Sequence, residues 1–170
     1  MAFRRVFQNI NARLIRGDVI LELLRQIYYA RDVKQLVIVS PWITPWTEAP
    51  SFSCLLELVR VRKTRILVVT REPINEAHLK AVRLLATLKT AEILFNDSVH
   101  AKIVACLAPS PWAFGALGSA NLTANSLSQV EVGLMVSSRD GGEALIRELA
   151  SMGTDYLRTH IASRLYREES

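Results

Sequence analysis

The chain has 170 residues, half of them hydrophobic, and carries a formal net charge of +5 with a pI of about 9.6. This length is enough to bury a core without disulfides or metals, so we expect a single domain over residues 1–170. The chain has no apolar run near the roughly 20 residues of a membrane span, and residues 1–17 lack the apolar stretch of a signal peptide. We therefore expect a cytoplasmic protein with no membrane span.

The two cysteines, Cys54 and Cys106, lie inside apolar segments. Two such residues make neither a disulfide framework nor a metal-ligand cluster, so we expect buried free thiols in a reducing compartment and no bound metal or other cofactor. The positive charge is compatible with a polyanionic partner, but an excess of this size is common in soluble proteins. Charge therefore favours nucleic acid without deciding the question.

The first half of the chain alternates helices with short apolar strands. After the polar and basic residues 1–17, Asp18 is a good N-cap for a helix whose apolar residues recur at helical spacing. Residues 36–39 form a continuous apolar, β-branched run, which predicts a strand buried on both faces. A helix at about 52–61 then leads to a second strand of this kind at 66–69.

The second half continues with one helix, several strands and a final helix. Asn75 can cap a helix that runs to about Leu88, and Asp140 with Glu143 forms a capping-box pattern for a helix reaching about Arg164. Between them the sequence predicts strands at 92–95, 99–107, 112–117 and 130–136, with a turn and short helix at 118–128. This order favours an α/β fold in which a mixed β-sheet is sandwiched between helices.

Two short motifs carry the chemistry of the sequence. The first is His100-x-Lys102, and the second is Gly118-Ser119-x-Asn121 about 15 residues later, each at a predicted strand end. Residues two apart on a strand project from the same face, so each motif presents its polar side chains together. An imidazole, an ammonium, a hydroxyl and a carboxamide are the groups needed to attack a phosphate and stabilise its developing charge without a metal.

The stretches VHAKIVACL, GALGSANLTANSL and VEVGLMV resemble the phospholipase D superfamily, in particular its single-motif nuclease branch. The resemblance covers roughly residues 36–136 and implies that superfamily's fold. It also implies roles for the motif residues. His100 would be the nucleophile that forms a phosphohistidine, Lys102 and Asn121 would bind the phosphate, and Ser119 would support it. Glu131 would orient His100.

The family pattern places an aspartate where this chain has Leu107, a position usually regarded as structural, so the change leaves the catalytic groups in place. Glu131 also fits on physical grounds, because a carboxylate that accepts from one ring nitrogen leaves the other free to attack. One His100 cannot serve well as both nucleophile and general acid. Two copies facing each other across a two-fold axis can, so we predict a homodimer with a shared active site.

Candidate nucleic-acid contacts fall into an aromatic pair and a basic cluster. Trp42 and Trp46 follow the first buried strand and are able to stack on bases, to pack a dimer interface or to cover the sheet edge. The basic cluster is suited to tracking a phosphate backbone, although a solvated basic loop is nearly as good an interpretation. Its residues are Arg60, Arg62, Lys63 and Arg65, with Arg4, Arg5, Arg13 and Arg16 nearer the N-terminus.

The favoured function is a metal-independent phosphodiesterase, an endonuclease acting on nucleic acid, with DNA preferred to RNA. The alternatives are a phospholipid phosphodiesterase or transferase and a catalytically weak nucleic-acid-binding subunit. A place in a larger defence or restriction complex is compatible with the sequence. His78, His160 and Asp97 have no ligand-spaced partners, so we interpret the histidines as surface or core-edge residues and the aspartate as a turn residue.

Overall fold

The computed structural model of the chain describes residues 10–157 and 164–166. Its centre is an eight-stranded mixed sheet in the order β1-β7-β6-β5-β2-β3-β4-β8. Strands β2, β3 and β4 are mutually parallel, and the other neighbours pair antiparallel. The strands are β1 Ala12–Gly17, β2 Gln35–Val39, β3 Arg65–Thr70, β4 Ala91–Phe95, β5 Ile103–Leu107, β6 Phe114–Gly118, β7 Glu131–Ser137 and β8 Arg164–Leu165.

Helices cover both faces of the sheet. One apolar cluster holds the buried residues of three helices, and a second cluster on the other face holds those of the fourth. The helices of the first face are α1 Val19–Tyr29, α2 Phe52–Arg62 and α3 Glu76–Ala86, and that of the second is α4 Glu143–Ser151. The predicted α/β class, a mixed sheet sandwiched between helices, is confirmed.

The burial of β2 explains why its sequence is continuously apolar. Leu36 and Ile38 belong to the first cluster, whereas Val37 and Val39 belong to the second, and all four are buried. Successive side chains of a strand point to opposite faces, so a strand between two helical layers needs apolar residues at every position. Every residue of β3 after Arg65 is likewise buried.

The structure differs from the predictions at several strand boundaries. Residues 12–17 form the edge strand β1, which was missed because its side chains are mostly exposed and its two arginines interrupt any continuous apolar run. The strand predicted from Val99 begins only at Ile103, so His100 and Lys102 lie in the segment leading into β5. The strand predicted from Trp112 begins at Phe114.

Two predictions about local structure near the helices were wrong. Asp140 accepts a hydrogen bond from the Ser137 hydroxyl at 2.7 Å and makes no capping contact, because Gly142 is the N-cap of α4. Cys54 is exposed, since it lies on the outer side of the first turn of α2, whereas Cys106 is buried as expected. Residues 158–163 of the predicted final helix, which include His160, lie outside the described residues, as do Arg4 and Arg5. Arg164, the predicted end of that helix, begins β8 instead.

The two ends of the central strands lie on opposite sides of the sheet, and each forms an edge with its own set of loops. At the first, which we call the site edge, Val39 at the carboxyl end of β2 pairs with Val69 and with Ile103. At the second, the far edge, Gln35 pairs with Arg65 and with Leu107. Gln35 and Val39 are four strand steps apart, a distance of about 13 Å. Within the described residues, no helix is both long enough and apolar enough to cross a membrane.

Candidate active site

The turn before His100 is held by a neighbouring loop. The Arg71 guanidinium donates from Nε to the Val99 carbonyl at 2.8 Å, and the Val99 N–H donates to the Asn96 carbonyl at 3.1 Å. Asp97 accepts from the Glu72 N–H at 3.0 Å, which is the turn role predicted for it. The following residue of the motif, His100, is exposed at the site edge.

The two motifs meet through the backbone ladder. The Gly118 N–H donates to the Lys102 carbonyl at 3.2 Å, just beyond the last paired residues of β5 and β6, Ile103 and Leu117. The Lys102 ammonium donates to the His100 carbonyl at 2.9 Å. The hydrogen bond between Gly118 and Lys102 therefore brings the H-x-K segment beside the start of the G-S-x-N segment.

Gly118 is required at this junction because β7 lies against it. A Cβ on Gly118 would collide with the Val132 carbonyl oxygen and would stand 2.9 Å from the Gly133 Cα. The close approach lets the Ser119 N–H donate to the Val132 carbonyl at 2.9 Å, while the Val132 N–H donates to the Ser119 hydroxyl at 3.1 Å. Ser119 is thereby held at the start of β7.

Glu131 lies directly beside this turn. Its carboxylate accepts a short hydrogen bond from the Ser119 hydroxyl, and only 7% of the residue is exposed. A buried carboxylate needs hydrogen-bond partners, so this pair explains both the burial of Glu131 and the orientation of Ser119. Between Glu131 and His100 the structure records no hydrogen bond, and the predicted role of Glu131 in orienting His100 stays a prediction.

Asn121 is positioned by contacts between the loops that follow β2 and β6. The Ser40 hydroxyl donates to the Trp42 carbonyl at 2.7 Å and accepts from the Leu122 N–H at 3.0 Å. The Thr44 N–H donates to the Leu122 carbonyl at 3.0 Å. The Asn121 carboxamide oxygen is buried without a hydrogen-bond partner among the described protein atoms.

The two tryptophans of the first loop have different environments. Trp46 is buried against Phe52, with its indole N–H donating to the Pro50 carbonyl at 2.9 Å, and is a core residue. Trp42 is half-buried at the site edge, with the Arg71 guanidinium 5.5 Å from its ring centroid. Beside it runs a groove of about 750 Å³ whose lining is about half polar and half apolar. The amides and hydroxyls in this lining belong to Thr44, Asn75, Asn121, Thr123, Asn125, Ser126 and Gln129.

His78 is a buried residue at this edge, not a surface or core-edge one as predicted. It packs edge-on against Trp42, and its Nε2 lies 3.0 Å from the Thr70 hydroxyl. Its Nδ1 is buried without a hydrogen-bond partner among the described residues. Burial lowers the pKa of His78 below its ordinary value, because the charged imidazolium would lose its hydration.

The basic cluster lies at the far edge, away from His100. Arg65 opens β3 opposite Gln35. Arg60 forms an ion pair with Glu57 at 3.0 Å, and Arg62 donates to the carbonyls of Tyr28, Ile27 and Ala30 at 2.7 to 2.9 Å. Arg62 thus satisfies carbonyls at the carboxyl end of α1, a structural role that sequence spacing alone does not reveal. Arg13 pairs with Glu22.

Leu107, the position at which the family pattern has an aspartate, also lies at the far edge. It ends β5 opposite Gln35, and its carbonyl accepts from the Lys34 N–H at 2.8 Å. Four residues of β5 separate it from the site edge, so the substitution removes no group from the surroundings of His100. Sequence reasoning also missed Ser40, Thr44 and Arg71, because their partners are distant in the chain.

Comparisons with known proteins identify the fold. No family model matches the sequence, and a search of curated proteins finds no match. Nuc from Salmonella typhimurium, a phospholipase D family member, superposes with a TM-score of 0.67 at 13% identity, covering 93% of this chain and 100% of its own. NucT from Helicobacter pylori gives 0.63 at 16% identity, covering 88% and 97%. Phosphatidylserine synthase from Haemophilus influenzae gives 0.60 at 12% identity, covering 94% and 41%.

These superpositions show that the chain has the fold of the phospholipase D family. The resemblance of its H-x-K and G-S-x-N stretches to that superfamily is therefore confirmed at the level of the fold. In the described part of the chain, no three His, Cys, Asp or Glu side chains are grouped so as to hold a metal ion.

The burial of His78 predicts a pH dependence of stability. As the pH falls below about 6.5, the unfolded chain binds a proton at this residue while folded His78 stays neutral. The free energy of unfolding therefore decreases with falling pH, by at most about 1.4 kcal/mol per pH unit from this group. Denaturant unfolding at several pH values should show a shallower loss for His78→Gln than for the wild type. If the free energy of unfolding fell equally with pH in the two proteins, His78 would not be the source of the pH dependence.

Proposed function

We propose that the chain is a metal-independent phosphodiesterase that cleaves internal bonds of nucleic acid through a phosphohistidine intermediate. The observation that carries this proposal is the backbone hydrogen bond from the Gly118 N–H to the Lys102 carbonyl, which joins the two motifs at the site edge. Nucleophile, cation and hydrogen-bond donors are then available to one phosphate group.

The reaction proceeds in two displacements at phosphorus. In the first, a neutral ring nitrogen of His100 forms a bond to phosphorus while the bond to the leaving oxygen breaks. His100 of a second copy, protonated at the start, gives its proton to that oxygen. In the second, this now neutral imidazole takes a proton from water. The resulting oxygen nucleophile attacks phosphorus, the P–N bond breaks, and His100 is regenerated.

Lys102 and Asn121 would stabilise the charge that builds on the phosphate oxygens. Lys102 supplies an ammonium, and Asn121 supplies two amide N–H donors. The Asn121 carboxamide oxygen is buried, and the neighbouring Leu122 N–H is held by the Ser40 hydroxyl, so the Asn121 side chain has a restricted orientation. A preorganised donor of this kind is typically worth about 3 kcal/mol in the transition state.

The groove beside Trp42 supports nucleic acid as the substrate. Its amides and hydroxyls suit the polar edges of bases and sugars, and the half-buried indole of Trp42 offers a surface on which a base can stack. An archaeal chromatin protein described as binding DNA superposes on 93% of this chain, with a TM-score of 0.56 at 9% identity.

A second copy of the chain is the partner that the proposed mechanism requires. Leu134 of β7 lies directly between Leu14 of β1 and Leu117 of β6, and all three side chains are about half exposed. This apolar row continues to Val132, whose backbone holds Ser119. An apolar face adjoining the site favours a homodimer with both His100 residues in one shared active site. Membership of a larger defence or restriction complex stays a prediction.

Cleavage in excess EDTA tests the proposed chemistry. We expect the wild type to cleave labelled DNA, with RNA and phosphatidylcholine vesicles as the competing substrates. His100→Ala should lose about a thousandfold or more, since it removes the nucleophile. Lys102→Gln should lose much of the activity, whereas the matched change Lys80→Gln on the exposed face of α3 should lose none. Equal activity of wild type and His100→Ala would overturn the proposal. Turnover of the vesicles alone would show that the substrate is a phospholipid and not a nucleic acid.

The apolar row predicts an interface that one charge can break. We expect the wild type to have twice the chain mass of 19.1 kDa at micromolar concentration, and Leu134→Lys to be monomeric with most activity lost. Val61→Lys places the same charge on a residue of α2 that is 69% exposed, and should leave the dimer intact. Light scattering after gel filtration measures both masses. A wild-type monomer with full activity would contradict the shared site.

A further inference from the structure

The far edge of the sheet carries a second groove that the proposed catalysis does not use. Its volume is about 920 Å³, and five of its lining residues are cationic. One acidic residue lies among them. The charged residues of this groove are Arg31, Asp32, Lys34, Arg62, Lys63 and Arg65. A concave surface lined by one sign of charge concentrates the electrostatic potential and attracts polyanions.

The walls of this far-edge groove are held by hydrogen bonds between the segments before β2 and β3. The Arg65 N–H donates to the Lys34 carbonyl at 3.2 Å, and the Thr64 hydroxyl donates to the Val33 carbonyl at 3.3 Å. Arg62, the last residue of α2, joins this segment to the carboxyl end of α1 by donating to three carbonyls there. The cations are therefore arranged on a rigid frame before any ligand binds.

Two residues of the groove have an unusual backbone conformation. Lys63 has φ of 52° and Asp32 has φ of 53°, and they are the two positive-φ residues other than glycine in the described chain. This region costs a residue with a side chain about 1 kcal/mol, and glycine or asparagine is common at a helix C-terminus such as Lys63. The backbone at Lys63 therefore suits glycine, which makes Lys63→Gly a substitution that removes the ammonium group without straining the fold.

Three of the five cations of the groove are available to a ligand. None of Lys34, Lys63 and Arg65 takes part in an ion pair within the described residues. Arg31 of the groove lies 5.4 Å from the centroid of the Trp112 ring, and Arg139, beyond the groove, lies 5.3 Å from the same centroid, so the basic surface continues along the far edge. An extended row of cations matches a chain of phosphates better than a single small anion.

We infer that the far-edge groove is a second nucleic-acid-binding site, which holds the phosphate backbone away from the catalytic centre. The strand length between the edges, about 13 Å, prevents one phosphate from touching both His100 and Lys63, which lie beyond its two ends. The inference rests on the proposed function only in taking nucleic acid as the ligand. The groove would raise the affinity for long substrates and contribute no group to the chemistry.

Binding in the His100→Ala background tests the groove separately from cleavage. The probe is a labelled DNA duplex of about 20 base pairs, titrated by fluorescence anisotropy from about 50 to 200 mM salt. We expect Lys63→Gly with Arg65→Gln to weaken binding about tenfold and to reduce the slope of log affinity against log salt by about 2. The matched control, Lys80→Gln with Arg83→Gln, removes the same charge from exposed positions of α3 and should leave both quantities unchanged.

Glycine suits the positive φ of Lys63, so the thermal midpoint of Lys63→Gly should equal or exceed that of the parent, which separates lost binding from lost folding. Equal weakening by the groove pair and the control pair would overturn the inference, because only total charge would then matter. Polyglutamate serves as a second probe. If Lys63→Gly with Arg65→Gln left DNA binding unchanged and abolished polyglutamate binding, the groove would belong to acidic polypeptides and the inference would be overturned. A wild type that cleaves nothing would refute the proposed function and leave this binding result intact.

Discussion

The close approach of β6 and β7 at Gly118 is the constraint on which the candidate site depends. No Cβ fits between Gly118 and the Val132 carbonyl, and the space saved brings Ser119 within hydrogen-bonding distance of β7 and Glu131. The N–H of the same glycine holds the Lys102 carbonyl on the other side. One residue without a side chain therefore joins three strand ends, and both motifs meet because of it.

This arrangement explains why so few polar residues form the site. The central strands β2 and β3 are buried on both faces, so polar groups there are tolerated only where the strands end. Ser40, at the end of β2, links the loop of Trp42 to the loop of Asn121 with a single hydroxyl. The site edge is thus a set of loop residues positioned by a rigid sheet, which is where enzymes of layered α/β folds commonly place their chemistry.

The sequence predicted the parts of the molecule that depend on local pattern. The buried strands β2 and β3 follow from continuous apolar runs, and the Asn75 cap of α3 follows from residue type, with its carboxamide accepting from the His78 N–H at 2.9 Å. The exposed edge strand β1 has no such pattern and was missed. The positions of Arg62 and Ser40 depend on partners about 30 and 80 residues away, respectively. Tertiary contacts of that kind leave no signal in one sequence.

Direct capture of the covalent intermediate is the measurement that tests the account most directly. The protein would be mixed with a phosphate-labelled oligonucleotide, denatured under alkaline conditions that preserve phosphohistidine, and digested for mass spectrometry. The account predicts a nucleotide phosphate attached to the peptide that contains His100, and its absence in His100→Ala. Cleavage of the oligonucleotide with no label on the protein, or with label on another residue, would contradict it.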